Sequence, residues 1–429
     1  PLTGLPNRQW LLERARSALA GKEWQKAYKV LAELDRTENL AADDLEGLAD
    51  AAWWTGSMDE SIEASTRAYA ARLERGEQRA AALNALRLAR NHELKRSGLQ
   101  GAWLSRAERL LDEEDDCPER GFLERTRSRL ALAAGDFESA IAHAERTLEL
   151  GSRFQDRNLM ALGLHDKGSA LVRQGDAETG VALIDEATVA ALSGELDPHV
   201  TGIIYCGVIA ASFDVADFAR AGNWTEAAKR WYDRQSISGF PGVCRVNRAE
   251  VMRLRGSWPE AEDELRTAVA ELDEFAPSVA ASAFYQLGEL QLRMGDLAAA
   301  EESFRQAHGL GVDPQPGLAL LHLANGEVEP ARRGLRRALA DQPRDRPSRA
   351  RFLPASVEIS LAAGEIEEAR VAAEELAEIA QDYGTPALAA HAAAAAGAVA
   401  LAEEDAEAAL RDLRRAIRLY QEVETPYEA

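Results

Sequence analysis

The chain has 429 residues, with 50 Lys and Arg against 72 Asp and Glu, which gives a formal net charge of −22. Such an acidic chain is poorly suited to bind nucleic acid, because phosphate contacts need a basic face, and its hydrophobic content of 46% is typical of a folded protein rather than a disordered one. The three cysteines, Cys117, Cys206 and Cys244, lie far apart, which argues against a disulfide framework or zinc knuckle and favours a reducing compartment.

The first eight residues fall outside the repeat pattern of the rest of the chain, and we expect a tail or linker there. Their sequence, Pro1-Leu-Thr-Gly-Leu-Pro-Asn-Arg8, resembles the opening of diguanylate cyclase domains. Neither the Gly-Gly-Asp/Glu-Glu-Phe loop of such domains nor a strand follows it, so we expect no cyclase activity. The chain starts without Met or a signal segment and has no obvious stop at its end, so it looks like part of a longer protein.

From residue 9 to residue 429 one short pattern recurs: a Gly-Asp-like pair, an apolar residue, two mostly polar residues and a small residue. In chain order the eleven copies begin at Lys22, Gly56, Ser97, Gly135, Gly175, Gly222, Gly256, Gly295, Gly326, Gly364 and Glu404. They are spaced by about forty residues. The longest step precedes Gly222 and leaves room for longer helices. The shortest precedes Gly326 and predicts a compressed unit, with a local break near residues 310–330.

Each copy predicts a helix, a tight turn and a second helix. Glycine at the turn allows the left-handed conformation that ends the first helix. The Asp, Asn or Ser beside it can cap the second helix, and Ser57 and Ser257 each precede a glutamate at capping-box spacing. A small residue five positions after the start lets the two helices approach closely, and apolar residues then recur at i, i+3, i+4 and i+7. The pattern predicts an all-α solenoid.

The spacing and the Gly-Asp-apolar signature resemble tetratricopeptide repeats in a longer variant. More specifically, the chain from Arg14 to Ala429 is similar to the helical repeat region of large actinobacterial LuxR-type regulators. The stretches that carry this resemblance are Leu48–Gly56, Gly180–Ala187, Ser193–Cys206, Phe240–Glu250, Phe284–Glu289, Pro314–Leu321 and Thr425–Ala429. Asn247 departs from the family pattern, which more often has His at that position.

The resemblance implies a right-handed superhelical solenoid of about eleven tetratricopeptide-like units that acts as a cytoplasmic regulatory module. In LuxR-type proteins such a module precedes a C-terminal helix-turn-helix that binds DNA. No basic recognition helix appears in this sequence, so we expect no nucleic-acid binding through this region. No apolar run reaches the ~18 residues of a membrane span, so we expect no membrane partner either.

The sequence offers no constellation for enzymatic chemistry. Its seven histidines lack HxxxH and HExxH spacing, and neither a phosphate-binding Gly-x-x-x-x-Gly-Lys-Ser/Thr run nor a Gly-x-Ser-x-Gly elbow is present. We therefore expect no catalytic residues, no metal and no cofactor.

One candidate binding surface consists of polar residues on the first helices of central units. Repeat solenoids present an extended concave surface for binding, and by the resemblance the first helices line it. The candidates are Asp166, Tyr205, Asn247, Arg248, Glu250, Tyr285, Gln286 and Glu289. Aromatic and amide groups there suit peptide recognition. The alternative is that Tyr205 and Tyr285 only pack between helices.

A second candidate is a local basic patch in an otherwise acidic chain. It comprises Arg332, Arg333, Arg336, Arg337, Arg344, Arg346, Arg349 and Arg351. Such a patch could dock an acidic partner or a phosphate. The alternative is that these arginines balance acidic neighbours within the solenoid.

These features predict a regulatory scaffold that binds a protein, a peptide or a small effector. The alternative is a metabolite sensor, which would enclose one small molecule in an apolar pocket with convergent polar groups instead of presenting an open groove. A homodimer is a further expectation, because the end unit of a repeat array exposes an apolar face.

Overall fold

The computed structural model describes residues 8–37, 39–235, 241–341 and 344–427, and these residues form 22 α-helices and no strand. In chain order the helices are α1 Arg8–Ala20, α2 Trp24–Thr37, α3 Ala42–Trp54, α4 Met58–Glu74, α5 Gln78–Leu94, α6 Gln100–Leu111, α7 Pro118–Ala133, α8 Phe137–Phe154, α9 Arg157–Gln174, α10 Ala177–Leu192, α11 Pro198–Asp214, α12 Phe218–Gln235, α13 Pro241–Leu254, α14 Trp258–Leu272, α15 Pro277–Met294, α16 Leu297–Gly309, α17 Gly317–Ala324, α18 Val328–Asp341, α19 Arg346–Ala362, α20 Ile366–Tyr383, α21 Pro386–Ala402 and α22 Ala406–Glu422. Each odd-numbered helix pairs with the next helix to form one unit. The chain is the predicted all-α superhelical solenoid of helix–turn–helix units.

The turn inside a unit follows the predicted chemistry. Gly135 has a φ of 73°, and the next amide, that of Asp136, donates to the Ala131 carbonyl at 2.9 Å, which closes the end of α7. The Asp136 carboxylate then accepts from the Ser139 amide at 3.1 Å and caps α8. The same acidic cap recurs at several later turns.

The predicted serine caps are wrong. Ser57 and Ser257 occupy the N-cap positions of α4 and α14, but neither side chain makes a capping hydrogen bond. Their ψ angles of 72° and 63° lie far from the extended backbone in which a short hydroxyl reaches the N3 amide. Asp136 has a similar ψ of 80°, and its longer side chain still spans the gap.

The copy predicted at Gly222 is also wrong, because Gly222 lies inside α12. The turn of the sixth unit contains Ala216, which takes the left-handed conformation with a φ of 55°. The true copy is therefore Ala216-Asp-Phe-Ala-Arg-Ala221, and the Asp217 carboxylate accepts from the Arg220 amide at 3.0 Å. With this correction the unusually long step disappears, since Ala216 lies near the midpoint between Gly175 and Gly256.

The small residue after each turn is buried in most units. Ala140 and Ala300 have no solvent exposure, and a Cβ atom on Gly180 would lie 2.6 Å from the Gly168 carbonyl oxygen of the facing helix. The third unit departs from the prediction, because Ala102 is exposed. Its turn contains two left-handed residues, Arg96 and Gly98, and this longer turn shifts the start of α6.

The compressed unit predicted before Gly326 has a short first helix, since α17 contains only 8 residues. The predicted tail at residues 1–8 lies outside the described residues except for Arg8, where α1 begins. Among the described residues, no helix is long and apolar enough to cross a membrane.

Units that are distant along the chain also contact one another. The Lys95 ammonium donates to the Glu274 carbonyl at 3.0 Å, and the Thr385 hydroxyl donates to the Val215 carbonyl at 2.8 Å. The Tyr383 hydroxyl donates to the Val172 carbonyl. Successive turns of the superhelix therefore pack together, and they enclose space between the first helices of the units.

Candidate functional site

A cavity of about 400 Å³ lies among the first helices of units two to six. The helices α3, α5 and α7 supply most of its wall, and the N-terminal end of α11 closes it. Its apolar and aromatic lining includes Trp24, Trp53, Trp54, Leu86, Leu104, Phe122, Leu162 and Ile203. This volume lies in the range of small-molecule sites, which are mostly apolar with a few placed polar groups.

Contacts between distant units form one end of the cavity. The ring centroids of Trp53 and His199 lie 4.7 Å apart, and so do those of Trp54 and His199. On another side Trp53 meets Phe275 edge-on, with 5.6 Å between the centroids. The His199 Nε2 atom also lies 3.7 Å from the Asp50 Oδ1 atom. The second, sixth and seventh units thus meet at one pair of tryptophans.

Four arginines line the cavity, and three of them have a carboxylate partner. Arg87 Nη1 lies 3.6 Å from Asp50 Oδ1. Arg125 Nε lies 3.2 Å from Asp166 Oδ2, and Arg129 Nη2 lies 3.3 Å from Glu93 Oε1. These pairs hold the guanidinium groups against the wall.

Asp166 is buried behind Arg125 and shows how strongly these charges interact. Burial by itself raises the pKa of a carboxyl group. The Arg125 charge and the hydrogen bond to His165, at 2.8 Å, outweigh burial, so the pKa of Asp166 is lowered. Asp166 is therefore an ionised partner of a buried arginine.

Arg90 is the fourth arginine, and its surroundings differ. Within the described parts of the chain, no carboxylate lies within 4.0 Å of its guanidinium. Its nearest aromatic partner is Trp53, with 6.0 Å between Arg90 Cζ and the ring centroid. Burial and the neighbouring charges of Arg125 and Arg129 lower the pKa of Arg90 to about 9, although the Glu93 charge opposes the shift. The group remains a cation at neutral pH.

Four of the eight predicted groove residues lie together on α13 and α15. The Tyr285 hydroxyl donates to Glu289 Oε1 at 2.6 Å, and Gln286 Nε2 donates to Glu250 Oε2 at 2.8 Å. The guanidinium of Arg351 lies 5.9 Å from the Tyr285 ring centroid. Burial, reinforced by the charges of Glu289 and Asp214, raises the pKa of Glu250 although Arg253 and Arg351 oppose the shift.

The other four predicted groove residues lie elsewhere. Asp166 lies behind the cavity wall, where it pairs with Arg125, and Arg248 forms an ion pair with Glu264 inside its own unit. Tyr205 is 3% exposed and packs beside Trp231, with 5.9 Å between the ring centroids. Asn247 lies half-buried on α13. The eight residues thus do not form one surface, and their role in binding stays a prediction.

The predicted basic patch is spread over α18, the turn that follows it, and α19. Most of its arginines face acidic residues of other helices: the pairs are Arg332 with Glu365 and Glu368, Arg336 with Glu368, Arg344 with Glu138, Arg346 with Asp382, and Arg349 with Glu375. Arg351 points to the Tyr285 cluster instead. Arg333 and Arg337 are exposed. A docking role for the patch stays a prediction, and it rests mainly on these two side chains.

Sequence reasoning missed the arginines of the cavity. A pattern for them does exist: Arg87 and Arg90 are three residues apart on α5, and Arg125 and Arg129 are four apart on α7. These spacings place each pair on one helix face, and the two helices occupy equivalent positions in neighbouring units. Trp53 and Trp54 are adjacent in the sequence, and both are buried.

No protein-family model matches the chain, and no curated protein matches it significantly. Solved structures do match. A Rap protein complexed with competence and sporulation factor aligns over 96% of this chain and 97% of that chain, with 12% identity and a TM-score of 0.49. The quorum sensor NprR from B. thuringiensis, in its apo form, aligns over 81% and 99%, with 13% identity and a TM-score of 0.47.

A tetratricopeptide repeat protein from Parabacteroides merdae aligns over 70% of this chain and 95% of that chain, with 16% identity and a TM-score of 0.33. The matching structures are those of tetratricopeptide-type helical repeat proteins. Nothing about a ligand follows from similarities at this level.

Proposed function

We propose that the chain is a non-enzymatic, cytoplasmic binding module that takes a small effector, or the end of a peptide, into the cavity between its first helices. The observation that carries this proposal is the cavity itself, which has a volume of about 400 Å³ and combines three tryptophans with four arginines. A few polar groups converging on an apolar wall are typical of ligand sites. The metabolite-sensor interpretation gains support from this combination of apolar and polar groups.

Ligand binding would be coupled to the shape of the superhelix. Trp53, His199 and Phe275 come from units that contact each other only because the superhelix closes. A ligand that contacts the tryptophans therefore favours one relative placement of these units over others, which is the condition for a population shift. In the proposed context, a LuxR-type regulator, this shift would pass to domains outside this chain.

A second candidate function is association through the last unit of the array. Three apolar side chains on α21 and α22 are exposed: Leu401 at 62%, Leu410 at 51% and Ile417 at 40%. This surface supports the expected homodimer or the docking of a partner helix. Light scattering tests it, because Leu410→Glu together with Ile417→Glu should convert a dimer to a monomer.

The cavity proposal is tested by filling the cavity. Leu104→Trp adds bulk to its wall, and Leu192→Trp makes the same substitution at an exposed site. Each protein is incubated with small-molecule and peptide fractions of a host extract and examined by native mass spectrometry. We expect a bound small mass on the wild type and on Leu192→Trp but not on Leu104→Trp. Equal binding by all three proteins, or no bound mass on any of them, would contradict the proposal.

A further inference from the structure

Among the described residues, one arginine of the cavity has no carboxylate within ion-pair distance. Arg87, Arg125 and Arg129 are each paired with a carboxylate. Of the acidic residues in the lining, Asp50 and Glu93 belong to these pairs, and the Asp197 carboxylate accepts from the Val200 amide at 2.9 Å to cap α11. Arg90 remains, and it faces two further cations, Arg125 and Arg129.

A buried cation without a partner is unfavourable unless something compensates it. The Glu93 carboxylate offsets part of the Arg90 charge, but it is already paired with Arg129. Burial and the charges of Arg125 and Arg129 outweigh it and lower the pKa of Arg90, so an oxyanion bound beside Arg90 would stabilise the cation. A guanidinium group offers two parallel N–H donors, a geometry that matches carboxylate and phosphate oxygens.

The apolar part of the wall indicates what the oxyanion is attached to. Trp53 lies beneath the Arg90 guanidinium and also borders the cavity, so its ring can orient the cation and contact a ligand. Trp54, Leu86 and Phe122 complete an apolar surface nearby. A small inorganic anion would leave this surface uncovered.

We propose that the cavity selects a ligand with one oxyanion, a carboxylate or a phosphate, on an aromatic or apolar body, and that Arg90 binds the oxyanion while Trp53 contacts the body. The inference rests on the proposed function, since it assigns the chemistry of the ligand to the same cavity.

A pair of fluorescent probes tests this charge preference. The probe 8-anilinonaphthalene-1-sulfonate is an aromatic anion, and N-phenyl-1-naphthylamine is its neutral counterpart. We expect Arg90→Met to raise the Kd of the anionic probe at least tenfold and to leave that of the neutral probe within twofold. Arg90→Lys, which keeps the charge but loses the fork of donors, should give an intermediate loss. Arg75→Met removes an exposed arginine outside the cavity and should change neither Kd.

Competition distinguishes the two oxyanions. N-acetylphenylalanine and phenyl phosphate are each titrated against the bound anionic probe, with N-acetylphenylalanine amide as the neutral control. Stronger displacement by the first compound assigns a carboxylate ligand, and stronger displacement by the second assigns a phosphate ligand. Displacement by the amide as strong as that by either anion would contradict a charge-selective site.

The possible failures can be told apart. Equal affinity for both probes, together with an unchanged Kd in Arg90→Met, would overturn the oxyanion assignment but leave the cavity as a ligand site. Unchanged binding of both probes in Leu104→Trp would place the binding outside the cavity and overturn the proposed function as well. Misfolding of Arg90→Met is checked by its melting temperature, which should rise, because the substitution removes a partly buried charge that is repelled by Arg125 and Arg129.

Discussion

The rings of Trp53 and His199 lie with their centroids 4.7 Å apart, although one residue ends the first helix of the second unit and the other begins the first helix of the sixth. Phe275, before the eighth unit, reaches the same tryptophan. In a simple solenoid each unit contacts mainly its neighbours. Here a cluster of aromatic side chains joins distant units and forms the end of the cavity.

This cluster predicts a specific effect of Trp53→Ala. Trp53 is 5% exposed, and truncation of a buried aromatic residue costs about 3–5 kcal/mol. We expect urea unfolding to show a loss of this size. Hydrogen exchange should also accelerate at the start of α11, because His199 loses one of its two tryptophan partners and keeps only Trp54.

Trp103→Ala is the matched control. Trp103 packs against Tyr69, with 5.1 Å between the ring centroids, inside the third unit and its neighbour. The variant should lose stability without faster exchange in α11. If both variants change exchange there equally, the contact between Trp53 and His199 does not hold the distant units together.

The sequence predicts the units of the array but not its cavity. Turns are encoded locally, by a left-handed residue and a cap, and the one misplaced turn arose because Ala216 occupies a position that glycine usually fills. The approach of Trp53 to His199 depends instead on the small rotations between successive units, summed over four units. No local sequence pattern specifies this sum. The arginine spacing on α5 and α7 could have indicated a shared face, but it does not show that Arg90 lacks a carboxylate partner.

Exchanging glycine and glutamate at two equivalent turns tests the assignment of the left-handed turn residue in each unit. Glu404 and Gly364 occupy the same turn position, are both exposed, and have φ values of 65° and 77°. A left-handed backbone costs a residue with a side chain about 1 kcal/mol relative to glycine. We expect Glu404→Gly to stabilise the protein by about 1 kcal/mol and Gly364→Glu to destabilise it by a similar amount, as measured by thermal unfolding. If both substitutions change the stability in the same direction, the assignment of these turns is contradicted.

The cysteines should be unreactive in the folded protein. Burial raises the pKa of Cys206 to about 11 and raises the pKa of Cys244 and of Cys117. The thiolate is the nucleophile, so little of it is present at pH 8. We expect iodoacetamide to modify none of the three in the native protein and all three after denaturation, as read by mass spectrometry. Rapid modification of Cys206 in the native state would show that α11 opens.

Glu250 should destabilise the protein when it is ionised. Its pKa is raised, mainly by burial, so the folded state binds a proton more tightly than the unfolded state does. Stability contributed in this way is present at low pH and is lost as the pH rises through the raised pKa. Glu250→Gln should therefore raise the melting temperature at pH 8 and have little effect at pH 4.

Glu264→Gln provides the control of opposite sign. The pKa of Glu264 is lowered, because its hydrogen bonds to Arg248 and Arg245 outweigh burial. This substitution should lower the melting temperature at pH 8. If both variants shift the melting temperature in the same direction, the opposite environments of the two carboxyl groups are not what determines their effect.

The pair of Arg125 and Asp166 predicts a large loss of stability in Asp166→Asn. Asp166 is 5% exposed, and removal of one partner from a buried ion pair costs about 3–5 kcal/mol, because the other charge stays buried without compensation. Since the pKa of Asp166 is lowered, this stabilisation is present above the ordinary pKa of an aspartate and is lost as the pH falls through the lowered value.

Asp185→Asn is the control, because Asp185 pairs with Arg220 at the surface, where its side chain is 49% exposed. Such surface pairs contribute about 1 kcal/mol or less. Urea unfolding at pH 7 should separate the two variants clearly, and a loss in Asp166→Asn no larger than that in Asp185→Asn would mean that water reaches the Arg125 guanidinium from the cavity.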